Sequence, residues 1–472
     1  MDVVISNRIS ISNPDPALLD YCRKNLRIRN PEFAKKRRLG FWTGSTPEYL
    51  YLYEQDGNTI RLPYGCLSEL EKGLIDPTYD TITANFNDPQ MVDYQCEIPL
   101  YDYQEPAVEA MAKVYCGILQ SPAGSGKTQM GIALAAKLGR KTLWLTHTKD
   151  LLSQSKRRAE QYMSPLLCGT ITEGRVSIGA GITFATVQTM SSLDLTQYRN
   201  VWDTIIVDEC HHVAGTPTSV TQFSRVLNSL AARHKYGLSA TVHRADGLIV
   251  ATHALLGEIV YSVPEETVQD KIIKPKVQPI FTDTVITADC LDTDGVVIYT
   301  KLIETLVNDQ RRNKLIVNTI VNRANSGGGS HIILADRIGH LEAMMSMLPP
   351  VMREQAVMVP GSMTTKKGKA EREQAIEDMR LGRKKFLFAT YSLAKEGLDI
   401  PRLDSLYLAS PQRDFAVIVQ SLGRISRTFE GKTDARCFDF VDYKIKTLVK
   451  FFKQRERTYR KLGCEELSLI HI

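Results

Sequence analysis

Two short segments, about eighty residues apart, carry the residue types that phosphate chemistry requires. The first is Ser121-Pro-Ala-Gly-Ser-Gly-Lys127-Thr128, which follows an apolar stretch. Glycines in such a loop let backbone N–H groups close around a β-phosphate, while a lysine places charge on the β/γ oxygens and a threonine hydroxyl binds Mg²⁺. The residues that we expect to bind a nucleotide are therefore Ser121, Gly124, Ser125, Gly126, Lys127 and Thr128.

The second segment, Ile205-Ile-Val-Asp208-Glu209-Cys-His211-His212, is an apolar strand that ends in two carboxylates. Asp208 is suited to hold Mg²⁺, and Glu209 is suited to orient and deprotonate a water. A glycine-rich turn alone can be a plain loop, and an Asp-Glu pair alone can be a solvated turn. In this order, and each after an apolar run, the two segments predict hydrolysis of a nucleoside triphosphate, with ATP and Mg²⁺ as cofactors.

The second half of the chain carries its own chemical signals. Phe386-Leu-Phe-Ala-Thr390 predicts a buried strand, and a turn with Gly397 and Asp399 follows it. Gln420-Ser-Leu-Gly423-Arg424-Ile-Ser-Arg427 places two arginines three apart, on one face of a predicted helix. Such a pair is also typical of a solvated helix edge. After the phosphate loop and the carboxylate pair, we interpret it as an arginine finger that neutralises charge on a transferring γ-phosphoryl group.

From about Leu100 to Gly463, these segments and others between them follow the order of a known family. The chain resembles a superfamily 2 helicase of the DExH group, which includes XPB-like repair helicases, UvsW-like phage helicases and the motor subunits of restriction enzymes. The loop departs from the strict pattern in its first residue, where Ser121 replaces a glycine. The resemblance implies an α/β fold with two tandem RecA-like domains, each built on a parallel sheet.

The resemblance also implies roles for further residues. Leu100-Tyr-Asp-Tyr-Gln104 is similar to the segment that reads adenine, so Gln104 would join Gly397 and Asp399 in the nucleotide site. The residues implied to couple the γ-phosphate to the nucleic-acid side are His211, Ser239, Thr241 and Gln420. The residues implied to hold the nucleic-acid backbone are Thr146, Thr148, Thr186, Gln188, Thr189 and Thr390.

The function that follows is an ATP-dependent helicase or translocase that unwinds or remodels branched DNA in repair, recombination or replication. Single-stranded, forked or branched DNA is the expected partner, and the resemblance implies 3′ to 5′ movement. Two alternatives stay open, namely an RNA helicase and the motor subunit of a restriction or defence complex whose chemistry lies in a partner. A protein partner would belong to a restriction or repair complex. The chain lacks the Asp-Glu-Ala-Asp sequence of DEAD-box RNA helicases.

Length and patterning predict the elements that position these residues. With 472 residues, of which 43% are apolar, the chain is long enough for two or three domains. Apolar strands alternate with helical stretches in two successive regions, which predicts parallel sheets with crossover helices. Five strands are predicted in the first region and four in the second, and they begin at Gly117, Thr142, Ile182, Thr204, Tyr236, Ser330, Ala356, Lys385 and Ser405. The predicted parts are an N-terminal α+β domain (1–95), a first RecA-like domain (96–265), a connector (266–300) and a second RecA-like domain (301–472) that ends in an amphipathic helix (444–461).

The N-terminal region interleaves positive charge with aromatic rings. Lys35, Lys36, Arg37 and Arg38 precede Phe41 and Trp42, a combination that can grip a phosphate backbone and stack on a base. A solvated basic face with two core aromatics is an equal alternative. The net charge of the chain is only +6, so contact with nucleic acid requires a local basic patch of this kind.

Cysteine usage and hydropathy indicate the compartment. Nine cysteines without a Cys-x-x-Cys pair argue against a disulfide framework and against a zinc site. No apolar run is long enough to span a bilayer, and the first residues lack the pattern of a signal peptide. We expect a monomer in the reducing cytoplasm without a membrane partner, and the resemblance implies a bacterial or phage source.

Overall fold

The computed structural model describes residues 1–122, 124–240, 248–264, 266–267, 273–292, 296–360, 366–395, 398 and 400–466. The chain divides into two units, Met1–Thr267 and Val268–Ile472. Each contains a large sheet whose strands are almost all parallel, as the prediction of tandem RecA-like domains requires. No helix in the described ranges is long and apolar enough to cross a bilayer.

The first unit begins with a small α+β domain, as predicted. Apolar and polar residues alternate along its short strands, so that Val3, Ile5, Ile9 and Ile11 all face the interior. The strands of its sheet are, in spatial order, Glu54–Asp56, Thr59–Leu62, Ile9–Ser12, Asp2–Ile5 and Thr81–Ala84. A ribbon pairs Arg27–Arg29 with Tyr49–Tyr51, and the helices are Pro16–Asn25, Pro31–Arg38 and Leu67–Glu71.

An eight-stranded sheet forms the core of the first unit, and it contains all five strands predicted for this region. The three central strands are buried along their whole length, as in a sheet that is covered on both faces. The strand order is Arg175–Ser177, Cys168–Thr172, Ile182–Thr186, Thr142–Thr146, Thr204–Asp208, His234–Ser239, Cys116–Gln120 and Ile259–Ser262, in which only the first is antiparallel to its neighbour. The helices are Gln104–Ala112, Lys127–Leu138, Lys149–Ala159, Val187–Ser192, Pro217–Ser229 and Ile249–Leu256.

The second unit is built on a seven-stranded parallel sheet. Its strand order is Ala356–Val359, Phe386–Thr390, His331–Ala335, Ser405–Leu408, Arg436–Asp442, Lys276–Thr282 and Glu465–Glu466. Its helices are Tyr299–Asn308, Gln310–Asn325, Ile338–Ser346, Pro350–Glu354, Lys366–Leu381, Tyr391–Lys395, Phe415–Ile425 and Lys446–Lys461. The four strands predicted for this region are all present.

The predicted connector is shorter in the structure. Lys276–Thr282, which lies inside the range 266–300, is a strand that pairs along its whole length with Arg436–Asp442. Its other edge pairs with Glu465–Glu466 only at Lys276 and Val277. Pro279 follows that pairing and lacks an N–H, so it is tolerated at this edge although it breaks the sequence pattern of a strand.

The C-terminal helix confirms the predicted amphipathic segment. Leu448 and Phe451 are buried in a cluster with the helix Tyr299–Asn308, Tyr459 is buried in the core of the second sheet, and Phe452 is partly buried. Arg455 is buried as well, although the pattern places basic residues on the outer face. Its guanidinium makes two hydrogen bonds of 2.8 Å to the Asp439 carboxylate, and a buried charge needs such a partner.

The N-terminal domain shares a hydrophobic core with the motor domain of the first unit. Tyr64, Cys66 and Leu67 belong to one buried cluster with Ala214, Val220, Leu248, Ala251 and Ala254. Gly65 approaches the helix end so closely that a Cβ there would lie 2.4 Å from the backbone N of Gly257. The domain is therefore packed on the motor domain rather than tethered to it.

Polar contacts hold the same interface. Tyr64 OH donates to the carbonyl of Arg233 at 2.9 Å. Lys235 is fully buried, and its Nζ donates to the carbonyls of Asn7 at 2.8 Å and Leu227 at 2.6 Å. Burial lowers the pKa of Lys235 to about 7. The interface therefore combines apolar packing with hydrogen bonds to the buried Tyr64 and Lys235.

Tyr64 tests how much this interface contributes to stability. Tyr64→Phe removes one hydrogen bond and should lower the free energy of unfolding by about 1 kcal/mol. Tyr64→Ala also leaves a cavity at the interface and should cost about 3–5 kcal/mol. Tyr79→Ala is the control, because that side chain is 85% exposed. Chemical denaturation measures all three, and equal stability of Tyr64→Ala and the control would contradict the shared core.

Candidate active site

The phosphate loop joins a strand of the first large sheet to the helix Lys127–Leu138. Gly124 and Gly126 have φ angles of 85° and 81°, in the region that favours glycine. Ser121 and Ser125 are buried, and their hydroxyls hydrogen-bond to each other. The N–H groups of the first helical turn lack intrahelical partners, so loop and helix together form a site for an anion.

Gln104 contacts this loop in the structure. Its side chain is buried, with Oε1 accepting from the backbone N of Tyr101 at 3.0 Å and Nε2 donating to the carbonyl of Ser125 at 2.8 Å. Tyr103 OH donates to the same carbonyl at 3.0 Å. A Cβ at Gly126 would lie 2.5 Å from Gln104 Nε2. Where the resemblance implied a contact with adenine, the structure shows an amide that positions the phosphate loop.

Asp208 is the last residue of the strand Thr204–Asp208, and Glu209 directly follows it, beside the phosphate loop. Glu209 Oε1 lies 3.7 Å from Lys127 Nζ, and Oε2 lies 3.3 Å from His211 Nδ1. Burial, together with the charge of Glu209, raises the pKa of Asp208. Burial acts in the same direction on Glu209, but Lys127 and His211 outweigh it and hold the pKa of that carboxyl well below its usual value. Glu209 is thus ionised at neutral pH.

These groups fit a nucleotide with bound Mg²⁺. The Thr128 hydroxyl and the Asp208 carboxylate are hard oxygen ligands of the kind that Mg²⁺ binds. Within the described ranges, no N–H or O–H donates to Glu209 Oε2 in hydrogen-bond geometry. That oxygen can therefore accept from a water molecule. The site can bind phosphates, hold Mg²⁺ and take up a proton from water.

Two of the predicted coupling residues lie together next to the loop. His211 Nδ1 is 3.0 Å from Ser239 Oγ, and the carbonyl of Ser239 accepts from the backbone N of Ser121 at 2.9 Å. Ser239 ends the strand that runs between those of Asp208 and of the loop. The third predicted coupling residue, Thr241, lies outside the described residues.

The first-unit residues predicted to hold nucleic acid lie at adjacent strand ends, but at different depths. Thr146 and Thr186 are buried, and their hydroxyls donate to the carbonyl of Thr148 and to Thr189 Oγ1, both at 2.9 Å. Gln188 is exposed. Thr146 and Thr186 therefore position the loops, whereas Gln188 lies where a nucleic-acid strand could reach it.

The second unit corrects one prediction about the arginine pair. The helix Phe415–Ile425 carries Gln420 and Arg424 but ends before Arg427, so the two arginines do not share a helical face. Lys432 explains the early end, because its Nζ donates to the carbonyls of Ile425 at 2.7 Å and Arg427 at 2.6 Å. Those carbonyls are satisfied without another helical turn.

The other predicted residues of the second unit are placed only in part. Arg424 Nη1 donates to the carbonyl of Leu398 at 2.9 Å. Gln420 Oε1 is buried and has no hydrogen-bond partner among the residues that the structure describes, as expected for a group that awaits a ligand or a water. Thr390 Oγ1 lies 2.8 Å from Ser392 Oγ. Gly397 and Asp399 lie outside the described residues.

The basic residues that were predicted to contact a phosphate backbone lie in residues 31–46, which we call the basic arm. The helix Pro31–Arg38 buries none of its side chains, and Lys35, Arg37 and Arg38 are exposed on it. Lys36 instead contacts Glu32 at 3.0 Å and Thr46 Oγ1 at 2.8 Å.

The two aromatic side chains of the basic arm are also at the surface. Phe41 is 63% exposed and Trp42 is 78% exposed. The alternative of two core aromatics is therefore wrong.

Two residues of the first-unit site were not predicted from the sequence. Ser155 Oγ donates to Asp208 Oδ2 at 3.1 Å from the helix Lys149–Ala159, and the ring of His147 stacks on His212 with centroids 3.4 Å apart. The sequence signal that could have identified Ser155 is a small polar residue on the buried face of a helix whose other buried residues are apolar. The contact of His147 with His212 joins two strand ends that are far apart in the sequence, so no local sequence pattern predicts it.

Comparison with known proteins agrees with this site. Residues 97–244 match the family model described as type III restriction enzyme, res subunit, and residues 311–429 match the helicase conserved C-terminal domain. The probable helicase D10 of Escherichia phage T5 is 25% identical over 99% of this chain and 96% of its own length. The DNA 3′-5′ translocase XPB2 of Sulfurisphaera tokodaii is 32% identical over 39% of this chain and 40% of its own length.

A solved structure shares the fold. S. cerevisiae Dbp5 bound to RNA and ADP BeF3 is 18% identical and has a TM-score of 0.56, over 78% of this chain and 90% of that one. At this identity the likeness concerns the fold alone.

Substitutions of Lys127 and of Glu209 separate the binding of ATP from its hydrolysis. Lys127→Ala should abolish hydrolysis, because the loop loses its side-chain cation at the β/γ oxygens. Glu209→Gln should keep ATP affinity but stop turnover, because an amide cannot accept the proton of the water. Fluorescent-nucleotide titration and phosphate release measure the two effects. Hydrolysis by Glu209→Gln at the wild-type rate would show that another group is the base.

Proposed function

Since this chain belongs to the superfamily 2 helicases and is therefore a nucleic-acid-dependent ATPase, we propose that it is a DNA translocase that unwinds or remodels branched DNA in repair, recombination or replication. The observation that carries the motor chemistry is the contact of Glu209 with both Lys127 and His211, which continues to Ser239. A series of ionic contacts and one hydrogen bond thereby joins the phosphate loop to Ser239, which is predicted to couple the γ-phosphate to the nucleic-acid side.

We assign the steps of hydrolysis to residues of this chain as follows. Backbone N–H groups of the loop and Lys127 would bind the phosphates, and Thr128 and Asp208 would hold Mg²⁺, which would neutralise phosphate charge when bound. Glu209 orients the attacking water and accepts its proton. In the second unit, Gln420, Arg424, Arg427, Gly397 and Asp399 are the residues that we propose to act on the nucleotide.

DNA is the substrate that the similarity to the translocase XPB2 favours. The name of the archaeal relative is that of a DNA translocase, and that relative is 32% identical over the matched segment. A motor subunit of a restriction complex is the second candidate, and the type III restriction model that matches residues 97–244 favours it. In that case a partner protein would carry the nuclease activity, whereas DNA would remain the track.

The basic arm supplies a contact with DNA in this proposal. Its helix buries no side chain, so packing does not explain why exposed basic and aromatic residues are grouped there. Lys35, Arg37 and Arg38 would contact phosphates, and Trp42 would stack on an unpaired base. Lys36 is engaged with Glu32 and Thr46 and would hold the arm in shape.

Strand displacement tests the proposed function. The purified chain should separate a forked DNA duplex with ATP, and it should fail with a non-hydrolysable analogue or with the Glu209→Gln variant. An RNA fork of the same sequence and a blunt DNA duplex are the comparison substrates. Separation of the RNA fork alone would favour the RNA helicase. Movement along DNA without separation would favour a pure translocase, as in a restriction motor.

Arg427 tests the role of the second unit. Arginine fingers contribute about 10³- to 10⁵-fold to the rate in other phosphoryl-transfer enzymes. Arg427→Ala should therefore lose most of the DNA-stimulated ATPase while ATP affinity remains, and Arg424→Ala should lose it as well. Arg457→Ala is a matched control, because this arginine is exposed on the C-terminal helix. Full stimulated activity of both variants would mean that these arginines do not complete the site.

Two variants of the basic arm separate charge from stacking. Replacing Lys35, Arg37 and Arg38 by Ala should flatten the salt dependence of duplex binding, because each lost phosphate contact removes about 0.9 from the log–log slope. Trp42→Ala should weaken binding to forked DNA by about 1–3 kcal/mol with little change in slope. Lys24→Ala is the control for exposed charge. Affinity and slope equal to the control in both variants would make the arm a solvated surface.

A further inference from the structure

Three imidazole rings are in contact beside the carboxylate pair. The rings of His147 and His212 stack with centroids 3.4 Å apart and an angle of 28° between their planes. His212 also contacts His211, at 4.2 Å between centroids. His211 Nδ1 in turn lies 3.3 Å from Glu209 Oε2. A row of rings therefore leads from His147 to the residue that we assign as the base.

The backbone of Glu209 depends on the turn that His147 packs against. Glu209 has a φ of 49°, in the left-handed region that is unfavourable for a residue other than glycine. The short 3₁₀ turn Cys210–His212 follows it, and the backbone N of His212 donates to the carbonyl of Glu209 at 3.0 Å. Packing on His212 thus helps to hold Glu209 in a conformation that its surroundings must enforce.

The backbone of His147 contacts a residue that is predicted to hold nucleic acid. His147 directly follows the strand Thr142–Thr146, and its carbonyl accepts from Nε2 of the exposed Gln188 at 3.0 Å. Thr148, the next residue, caps the helix Lys149–Ala159 by accepting from the backbone N of Leu151 at 3.3 Å. A strand that binds at Gln188 would therefore act on the segment that carries the His147 ring.

We propose that His147 is a positioning residue, which transmits the binding of nucleic acid near Gln188 to Glu209 through its stack on His212. This inference rests on the proposed function, because it requires that nucleic acid stimulates hydrolysis. Burial, with a smaller effect of His211, lowers the pKa of His147 to about 4. The ring is therefore neutral at physiological pH, and it acts through its flat shape rather than through charge.

Replacing His147 by a residue with a planar ring and by residues without one tests the proposal. His147→Phe keeps a neutral flat ring, His147→Leu keeps apolar volume without the plane, and His147→Ala removes both. ATPase rates without DNA and over a series of single-stranded DNA concentrations are measured for each. His147→Leu and His147→Ala should lower the maximal stimulated rate, expressed relative to the basal rate of the same variant, at least about five-fold, a low value for coupling between sites. His147→Phe should restore most of the stimulation.

The shape of the titration separates coupling from direct contact. The proposal predicts a lower maximum at an unchanged half-stimulating DNA concentration. A raised half-stimulating concentration with an unchanged maximum would mean that His147 binds DNA itself, and it would overturn the proposal. Melting temperatures show which variants are folded, and His147→Leu remains informative if His147→Ala is not.

His253→Ala is the matched control, because His253 is also a partly buried histidine of the first unit, bonded to the carbonyl of Gly257. Stimulation of His147→Leu equal to that of His253→Ala would overturn the inference and leave the proposed function intact. Absence of stimulation in the wild type would instead contradict the proposed function.

Discussion

The structure of the first unit depends on one constraint: the charges of two adjacent carboxylates at the end of a buried strand must be compensated. Asp208 and Glu209 repel each other in a setting from which water is largely excluded, so each needs its own compensation. Lys127 and His211 compensate Glu209, whereas Asp208 accepts hydrogen bonds from Ser155 and from the backbone N of Glu209.

The order of the parallel sheet is what allows that compensation. Three neighbouring strands bring the carboxylate pair, Ser239 and the phosphate loop to one edge, where carboxyl ends of parallel strands coincide. The same packing includes the N-terminal domain, because it shares a buried cluster with the motor domain. The basic arm and the nucleotide site therefore belong to the same unit of the chain.

The sequence predicts the parts that depend on local pattern. The phosphate loop, nine of the strands in the two motor sheets and the C-terminal amphipathic helix follow from glycine spacing and apolar periodicity. Arg455 departs from the pattern that places basic residues on the outer face of this helix, because its partner Asp439 lies on another element, the strand Arg436–Asp442. The helix end before Arg427 depends on Lys432, which returns through a turn, and the stack of His147 on His212 joins two strand ends. Such contacts exist only after folding.

The central claim is that nucleic acid accelerates ATP hydrolysis at the site formed around Lys127 and Glu209. Steady-state phosphate release measures this claim when it is recorded in parallel without nucleic acid and with saturating single-stranded DNA, forked DNA and single-stranded RNA. The account predicts a low basal rate, clear stimulation by both forms of DNA and weaker stimulation by RNA. An ATPase rate that is the same in all four conditions would contradict it.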